Sequence, residues 1–520
     1  MLCRVVIACA MVFSGCTQVG PDFIRPEPQV MPQWMEADEA QVRTSAADYL
    51  MWWTAFKDPV LDNLVQIAYA QNIPLRVAGA RVFEARARLG IAIGEQYPQF
   101  QQAVGSALDI RESERTPTAP QRRSPADQFE YKQAQVAAAA SWEIDFWGKF
   151  QRAVESEDAN FLGSIAAYDN ALVSLTAEVA RTYVVIRTIE ERLRIARENV
   201  DIQKESLRIV QARFEAGAGT GLDVQQALAQ LRGTEAVVPQ FEASLRQAKN
   251  ALCILLGMPP GNLEHLLGDR LAIPQAPLEV AVGIPADLLR RRPDIRSAEL
   301  QAAAQSALIG VAKADLYPAF ALTGTFGFLA SDVGRFGLGD IAAWSSRYGS
   351  FGPSFQWNFL NYGQITNNVR LQDARFQELI FGYQNTVLRA QQEVEDALTG
   401  FLQSQKSLIR LAEAAEAAKQ SANLAIIQYR SGATNYTTVI TAQQSLLSDQ
   451  DSLAVAQGAV PQNLIAVYRA LGGGWELREG NPFLPADITT AMGKRTNWGG
   501  LLAPAAIQPP DTRQFLTPDW

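Results

Sequence analysis

Two constellations in this 520-residue chain contain residue types that do chemistry. Cys253 and the single histidine, His265, would pair a thiol with an imidazole, the types needed for a nucleophile and its base. Residues 213–224, RFEAGAGTGLDV, place three glycines within five positions, as in loops that cradle phosphate on backbone N–H groups. Neither set is complete. No third group is placed to orient His265, and one histidine leaves little for a zinc site or for imidazole catalysis. A phosphate loop follows a buried strand, but the residues before Phe214 repeat with helical period back to Leu172. The expectation is a non-enzyme with no catalytic residues, no metal and no cofactor. A net charge of -8 also gives no basic face for nucleic acid.

The glycines acquire a different meaning from self-similarity. ARFEAGAGTGLDVQQALAQL, from Ala212, aligns with IQYRSGATNYTTVITAQQSL, from Ile427, at an offset of 215 that carries Gly217 onto Gly432. The same offset carries Trp147 and Gly148 onto Tyr362 and Gly363. Upstream, GIAIGEQYPQF, ending at Phe100, matches GVAKADLYPAF, ending at Phe320. The chain is therefore two copies of one unit. Stepping by seven from Leu172 gives Val179, Ile186, Leu193, Val200, Leu207 and Phe214, and the second copy repeats the row from Val387 to Tyr429. Such heptad rows predict long, supercoiled, packed helices. No proline interrupts Ala126 to Val238 or Ser354 to Val460. Gly217, Gly219 and Gly221 then break one helix and return the chain as another, with Asp223 near the positive end of the returning helix.

Four segments lose the helical period and alternate. Phe100, Val104, Leu108 and Ile110 share one face of the first, and Val136, Trp142, Ile144 and Phe146 one face of the second. Phe320, Leu322, Phe326 and Phe328 do so in the third, and Phe351, Phe355, Trp357 and Phe359 in the fourth. Apolar residues out and small or polar residues in is the pattern of a membrane barrel, with soluble hairpins on a core as the alternative. Lipid tolerates no open sheet edge, so four strands per chain require an oligomer of two or three chains.

The first residues, MLCRVVIACAMVFSGC, form a short apolar run that resembles a secretory signal over 1–15, ending in a lipobox whose Cys16 would carry palmitate-type acylation. CTQVGPDFIRP, WWTAFKDPVLDNLV, LLRRRPDIRSAEL, ALIGVAKADLYPAF and VYRALGGGW, in that order, are similar to the TolC-like outer-membrane efflux lipoproteins of the nodulation-protein branch. The resemblance implies an α+β membrane protein. In that fold a homotrimer forms a 12-stranded transmembrane β-barrel continuous with a 12-helix periplasmic α-barrel, with a mixed girdle. It implies a passive exit duct for drugs and other small molecules in the outer membrane of a Gram-negative bacterium, docked on a periplasmic adaptor and an inner-membrane resistance-nodulation-division pump. A type I protein-secretion duct would share these motifs, and a periplasmic coiled-coil adaptor or scaffold would share the helices alone.

Mapped onto the sequence, the lipidated segment covers 16–60, the first repeat 61–275, the second 276–475 and a tail 476–520. Strands are expected near 99–111, 129–147, 319–330 and 348–361, and long helices near 150–215, 222–257, 364–431 and 436–471. Phe214, Gly217, Gly219, Asp223 and Val224 with Tyr429, Arg430, Gly432, Thr438 and Thr441 would form the periplasmic tip, the gate and the adaptor contact. The resemblance makes Tyr429 and Arg430 gate-pinning residues. Where the family often has acidic residues after the second tip, Thr438 and Thr441 stand here, leaving Asp223 to supply charge. Trp142, Phe146, Phe320, Phe326, Phe328, Phe355, Trp357 and Phe359 are expected to face lipid. Pro293 and Asp294 suit the start of a helix, which favours a structural role for Arg290 to Arg292 over anion binding.

Overall fold

A computed structural model describes residues 18–43, 49–113, 130–268, 272–333 and 337–503. The signal peptide, Cys16 and residues 504–520 lie outside the described residues, as does the side chain of Arg290. An extended strap runs from Gln18 to a two-residue strand, β1 (Val42–Arg43), followed by helices α1 (Pro59–Gln71) and α2 (Ile73–Gly94). Strands β2 (Phe100–Arg111) and β3 (Glu130–Ile144) lead into helices α3 (Lys149–Glu215) and α4 (Gly221–Leu255). A connecting region holds α5 (Glu264–Leu267), β4 (Val280–Ala281) and α6 (Pro285–Arg291). The second copy follows as α7 (Pro293–Ala314), β5 (Ala319–Ser331), β6 (Arg347–Gln356), α8 (Gln364–Arg430) and α9 (Tyr436–Ala470), and α10 (Ala486–Arg495) closes the described chain.

Helices α3 and α8 have 67 residues each, so each is about 100 Å long at about 1.5 Å per residue. Each starts at a left-handed glycine, Gly148 at φ 74° and Gly363 at φ 83°, where the chain turns out of a strand. Heptad positions Leu172, Val179, Ile186, Val387, Val394 and Phe401 are almost fully buried. Helix α3 packs on α2 and α7 in its first half and on α4 and α9 in its second, while α8 packs on α7 and then on α9. The helices therefore form one curtain in the order α2/α4, α3, α7/α9, α8, with α2/α4 and α8 as its free edges. Pro239 and Pro461 lie inside the returning helices.

Buried ionic contacts tie the second copy's start to its end. Arg292 sits at the N-terminal boundary of α7, bonds Asp294 at 2.7 Å and Glu393 at 2.8 Å, and donates to the carbonyl of Ala470 at 2.8 Å. Its role is structural, as the sequence favours. Arg187 is fully buried over the Tyr183 ring, bonding Glu190 at 2.8 Å and the Leu267 carbonyl. Cys253 is buried on α4, whereas His265 is exposed on α5. No helix among the described residues is long and apolar enough to cross a membrane.

The sheet order is β2-β3-β5-β6, antiparallel throughout, so β2 and β6 are its edges. Opposed pairs Trp142 and Leu322, Ile144 and Phe320, Phe320 and Phe355 put the aromatics of β3, β5 and β6 on one face. Three expectations need correction. Strand β6 ends at Gln356, so Trp357 and Phe359 lie beyond it, and Phe146 lies beyond β3 in a turn whose N–H bonds the Ile144 carbonyl at 2.8 Å. Strand β2 is paired as Phe100 to Ser141 and Val104 to Ala137, which puts Phe100, Val104, Leu108 and Ile110 on the face opposite Trp142 and Phe326. A one-residue change of register flips every side chain. Here Gln99 pins the register, its side chain bonding both the N–H of Glu143 at 2.7 Å and its carbonyl at 3.2 Å.

Helices α3 and α9 approach closely at Gly458, where an added Cβ would meet the Thr188 side chain. Gly458→Leu should separate the helices and destabilise the fold by about 1–3 kcal/mol. A lowered thermal midpoint, partly restored by adding Thr188→Ala, checks this.

Candidate functional site

The ends of α3 and α8 fold into two matching tips. At the first, Gly217 takes φ 73° while Ala218 N–H bonds the Arg213 carbonyl at 2.8 Å. At the second, Gly432 takes φ 77° and Ala433 N–H bonds the Gln428 carbonyl at 2.9 Å. Both close the last helical carbonyls through a left-handed residue. Gly219 packs closely on the Phe214 backbone, where a Cβ would lie 3.2 Å from its nitrogen.

The returning helices are capped differently. Thr220 accepts the Asp223 N–H at 3.2 Å while the Asp223 carboxylate accepts the Thr220 N–H at 3.1 Å, a reciprocal capping box. In the second tip Asn435 accepts the Thr438 N–H at 3.2 Å and the Thr438 hydroxyl at 3.0 Å. Thr441 bonds the Thr437 carbonyl at 3.0 Å. Asp223 is thus engaged in capping, and the two threonines present hydroxyls at an exposed surface.

A small apolar cluster joins the tips: Val210, Ala422, Ala425, Tyr429, Tyr436 and Val439 are buried, and half-buried Val224 packs against them. The Tyr429 and Tyr436 rings lie 5.2 Å apart. Burial raises the phenol pKa of both, that of Tyr436 to about 12, so neither ionises near neutrality. The Arg213 guanidinium lies 4.6 Å from the Tyr429 ring centre, and donates to the Tyr429 carbonyl and to the Ala218 carbonyl at 3.2 Å. Arg430 reaches Glu205 at 3.4 Å, and Glu205 is also held by Arg208 at 2.6 Å. The sequence reading named Tyr429 and Arg430 but missed Arg213 and Glu205, their partners on the first repeat. Outside this joint, Phe214 and Leu222 are 49% and 66% exposed, an apolar rim at the far end of the curtain.

At the other end, Trp142, Phe320, Phe326, Phe328 and Phe355 share one face of the sheet. The strands contain 12, 15, 13 and 10 residues, each long enough to cross a bilayer when tilted. The first described residues sit at the junction of sheet and helices: Gln18 lies against Gly148, and Val19 N–H bonds the Trp147 carbonyl at 3.0 Å. Cys16 itself lies outside the described residues.

A sheet of membrane-spanning strands running directly into a curtain of helices about 100 Å long defines an outer-membrane conduit protein. The family model for outer membrane efflux protein matches residues 64–258 and 284–473, and the chain belongs to that family. The pyoverdine export outer membrane protein OpmQ of Pseudomonas aeruginosa is 31% identical over 477 residues, 89% of this chain and 96% of its own length. Nodulation protein T of Rhizobium leguminosarum bv. trifolii is 29% identical over 482 residues, 92% of this chain and 98% of its own. The structure of the outer-membrane channel OprN is 33% identical with a TM-score of 0.81, covering 88% of this chain and 99% of that one. The Campylobacter jejuni CmeC channel shares the fold at a TM-score of 0.82, with 22% identity, 91% of this chain and 100% of that one covered. The protein is an outer-membrane efflux channel with a periplasmic helical extension, and the reading as a soluble coiled-coil scaffold falls.

The tip geometry separates two substitutions. Arg213→Ala removes a charged donor and a cation–π contact, roughly a tenfold shift in the balance holding the tips together, and should raise conductance in planar bilayers. Tyr429→Phe should leave conductance unchanged, because the buried hydroxyl has no partner among the described residues.

Hydrogen bonding from Arg208, then the charges of Arg208 and Arg430, hold Glu205 below the usual carboxylate range. A depressed carboxylate contributes above its unfolded pKa, about 4.3, and the contribution is lost as pH falls through the lower folded value. Conductance should therefore be flat across the neutral range and rise only as pH falls below the usual carboxylate range.

Proposed function

We propose that three copies assemble into a closed duct, the exit segment of a tripartite efflux system. Four strands from each copy make a 12-stranded barrel in the outer membrane, and the helical curtains make a 12-helix periplasmic tunnel encircled by the strap and the connecting segments. The observation that carries this reading is the coincidence of open edges: β2 and α2/α4 end the protomer on one side, β6 and α8 on the other. Joining unlike edges head to tail closes sheet and curtain together.

The apolar rim around Phe214 and Leu222 receives a periplasmic adaptor, which links the duct to an inner-membrane pump of the resistance-nodulation-division class. Small molecules such as drugs pass through passively, and the energy is supplied at the pump. OpmQ is named for pyoverdine export and a Pseudomonas putida relative for toluene efflux, which supports small-molecule cargo here. The tips open when adaptor binding favours a straighter packing of the second hairpin over the closed one, through contacts available only in the open form. Arg213, Tyr429, Arg430 and Glu205 form the joint that must part. The aromatics shared by β3, β5 and β6 face lipid, and acylated Cys16 anchors the strap beside the junction of sheet and helices.

Detergent-solubilised protein should have the native mass of three chains and appear hollow and elongated by electron imaging; a monomer would refute the duct. Deleting the gene in a strain that keeps its pump and adaptor should raise drug susceptibility several-fold. Cys16→Ser should remove the acyl mass and weaken anchoring, yet still fractionate with the outer membrane.

A further inference from the structure

The two sequence repeats make the contact between them a template. Helices α3 and α8 have 67 residues each and α4 and α9 have 35 each, so an offset of 215 maps one repeat onto the other without a gap. Within the chain, α3 of the first repeat packs against α9 of the second. The equivalent pair, α8 of the second repeat and α4 of the first, stands on opposite edges of the curtain among the described residues.

The faces left bare are the ones this template covers. Thr188, Asn199 and Ser206 meet α9 and are buried, whereas their counterparts on α8, Gln403, Ala414 and Ser421, are exposed. On α9, Ala454 and Gly458 are buried, whereas their counterparts on α4, Pro239 and Ala243, are exposed. Position by position, each half of the unmade contact is present on one edge.

We infer that α4 of an adjacent subunit seats on α8 in the register of α9 on α3, and that this leaves the closed tips with two alternating kinds of joint; the inference rests on the trimer reading above. Thr188 against Gly458 becomes Gln403 against Ala243, Asn199 with Gln450 becomes Ala414 with Glu235, and Ser206 with Gln443 becomes Ser421 with Leu228. Charge is where the two seams differ. Within a subunit three arginines hold the seam: Arg192 on Asp451 at 2.7 Å, Arg213 on the Tyr429 ring and carbonyl, and Arg430 on Glu205 at 3.4 Å. The equivalent positions between subunits hold Ser407 with Ala236, Gln428 with Phe214, and Glu215 with Gln420, and none of these is an ion pair. Three tip joints pinned by arginine thus alternate with three unpinned ones around the ring. Gln428 takes one side of the half-exposed Phe214, and Leu222, 66% exposed, stays available to the adaptor.

Gln428→Arg should install the missing joint, a guanidinium over the Phe214 ring of the adjacent subunit. Native mass is measured first, and a monomer would overturn the trimer reading and this inference with it. In a measured trimer the substitution should lower conductance in planar bilayers roughly two- to fivefold, and should reverse much of the rise caused by Arg213→Ala. Unchanged conductance in both backgrounds would overturn the placement of Gln428. Gln403→Cys with Ala243→Cys tests the register separately, because a Cβ added at Gly458 would stand 3.1 Å from the Thr188 Cβ, close to the disulfide spacing of about 3.8 Å. Mild oxidation of the trimer should give linked dimers and trimers on a non-reducing denaturing gel, with none from either single-cysteine variant. A trimer that forms no link, or a linked monomer, would overturn the register.

Discussion

The structure is governed by a backbone that cannot be left unpaired in hydrocarbon. Each unbonded N–H or C=O there costs several kcal/mol, and the protomer's sheet has a full row of them along β2 and another along β6. A fifth strand would not help, because it would only move the edge. Closure does, and in the proposed duct closure dictates much else: the strands must curve, their number must be shared among copies, and the helices below must continue the same circle. The internal repeat meets these demands economically. One unit of helix, strand pair and two helices, used twice, supplies equivalent staves, and in the proposed assembly further copies complete the ring.

Much of this was legible in the sequence because periodicity reports geometry directly. The heptad row from Leu172 to Phe214 predicts a buried stripe, and Leu172, Val179 and Ile186 are fully buried. Gly148, Gly217, Gly363 and Gly432 mark the turns because each sits at positive φ, which few other residues adopt. Facing in the sheet was only partly legible. Alternation within β2 says which residues share a side, but not which side. The ladder with β3 decides that, and it is set by a glutamine at position 99 that no pattern singles out. The end of β6 was overrun because aromatic alternation continues through Phe359, past the last paired residue, Gln356.

The tips show how two copies of one motif acquire different tasks. Across the repeat, Arg213 corresponds to Gln428 and Phe214 to Tyr429. The first tip therefore contributes a cation and the second an aromatic face and a carbonyl, so the copies complement each other where identical ones could not. A signal was present: an arginine in the last turn of one helix, and an aromatic residue at nearly the equivalent position of the other. It becomes meaningful only once α3 and α8 are known to end at the same height.

The seam between α3 and α9 changes character along its length, and that change locates where the duct can move. Above Thr188 the two helices carry fully buried apolar side chains such as Val184, Leu464 and Val467. Below it polar pairs interrupt the seam before the apolar cluster at the tips: Arg192 with Asp451 at 2.7 Å, Asn199 with Gln450 at 2.8 Å, and Gln443 with Ser206. Gln203 is only 2% exposed, yet neither of its polar side-chain atoms has a partner among the described residues. Separating an apolar seam forfeits its full burial energy, whereas polar pairs are exchanged for water at a net cost near 1 kcal/mol each, and hydrating Gln203 is favourable. The lower half is therefore held less tightly than the upper half. In the proposed duct this favours motion at the end where Arg213 and Tyr429 join the tips, far from the membrane wall.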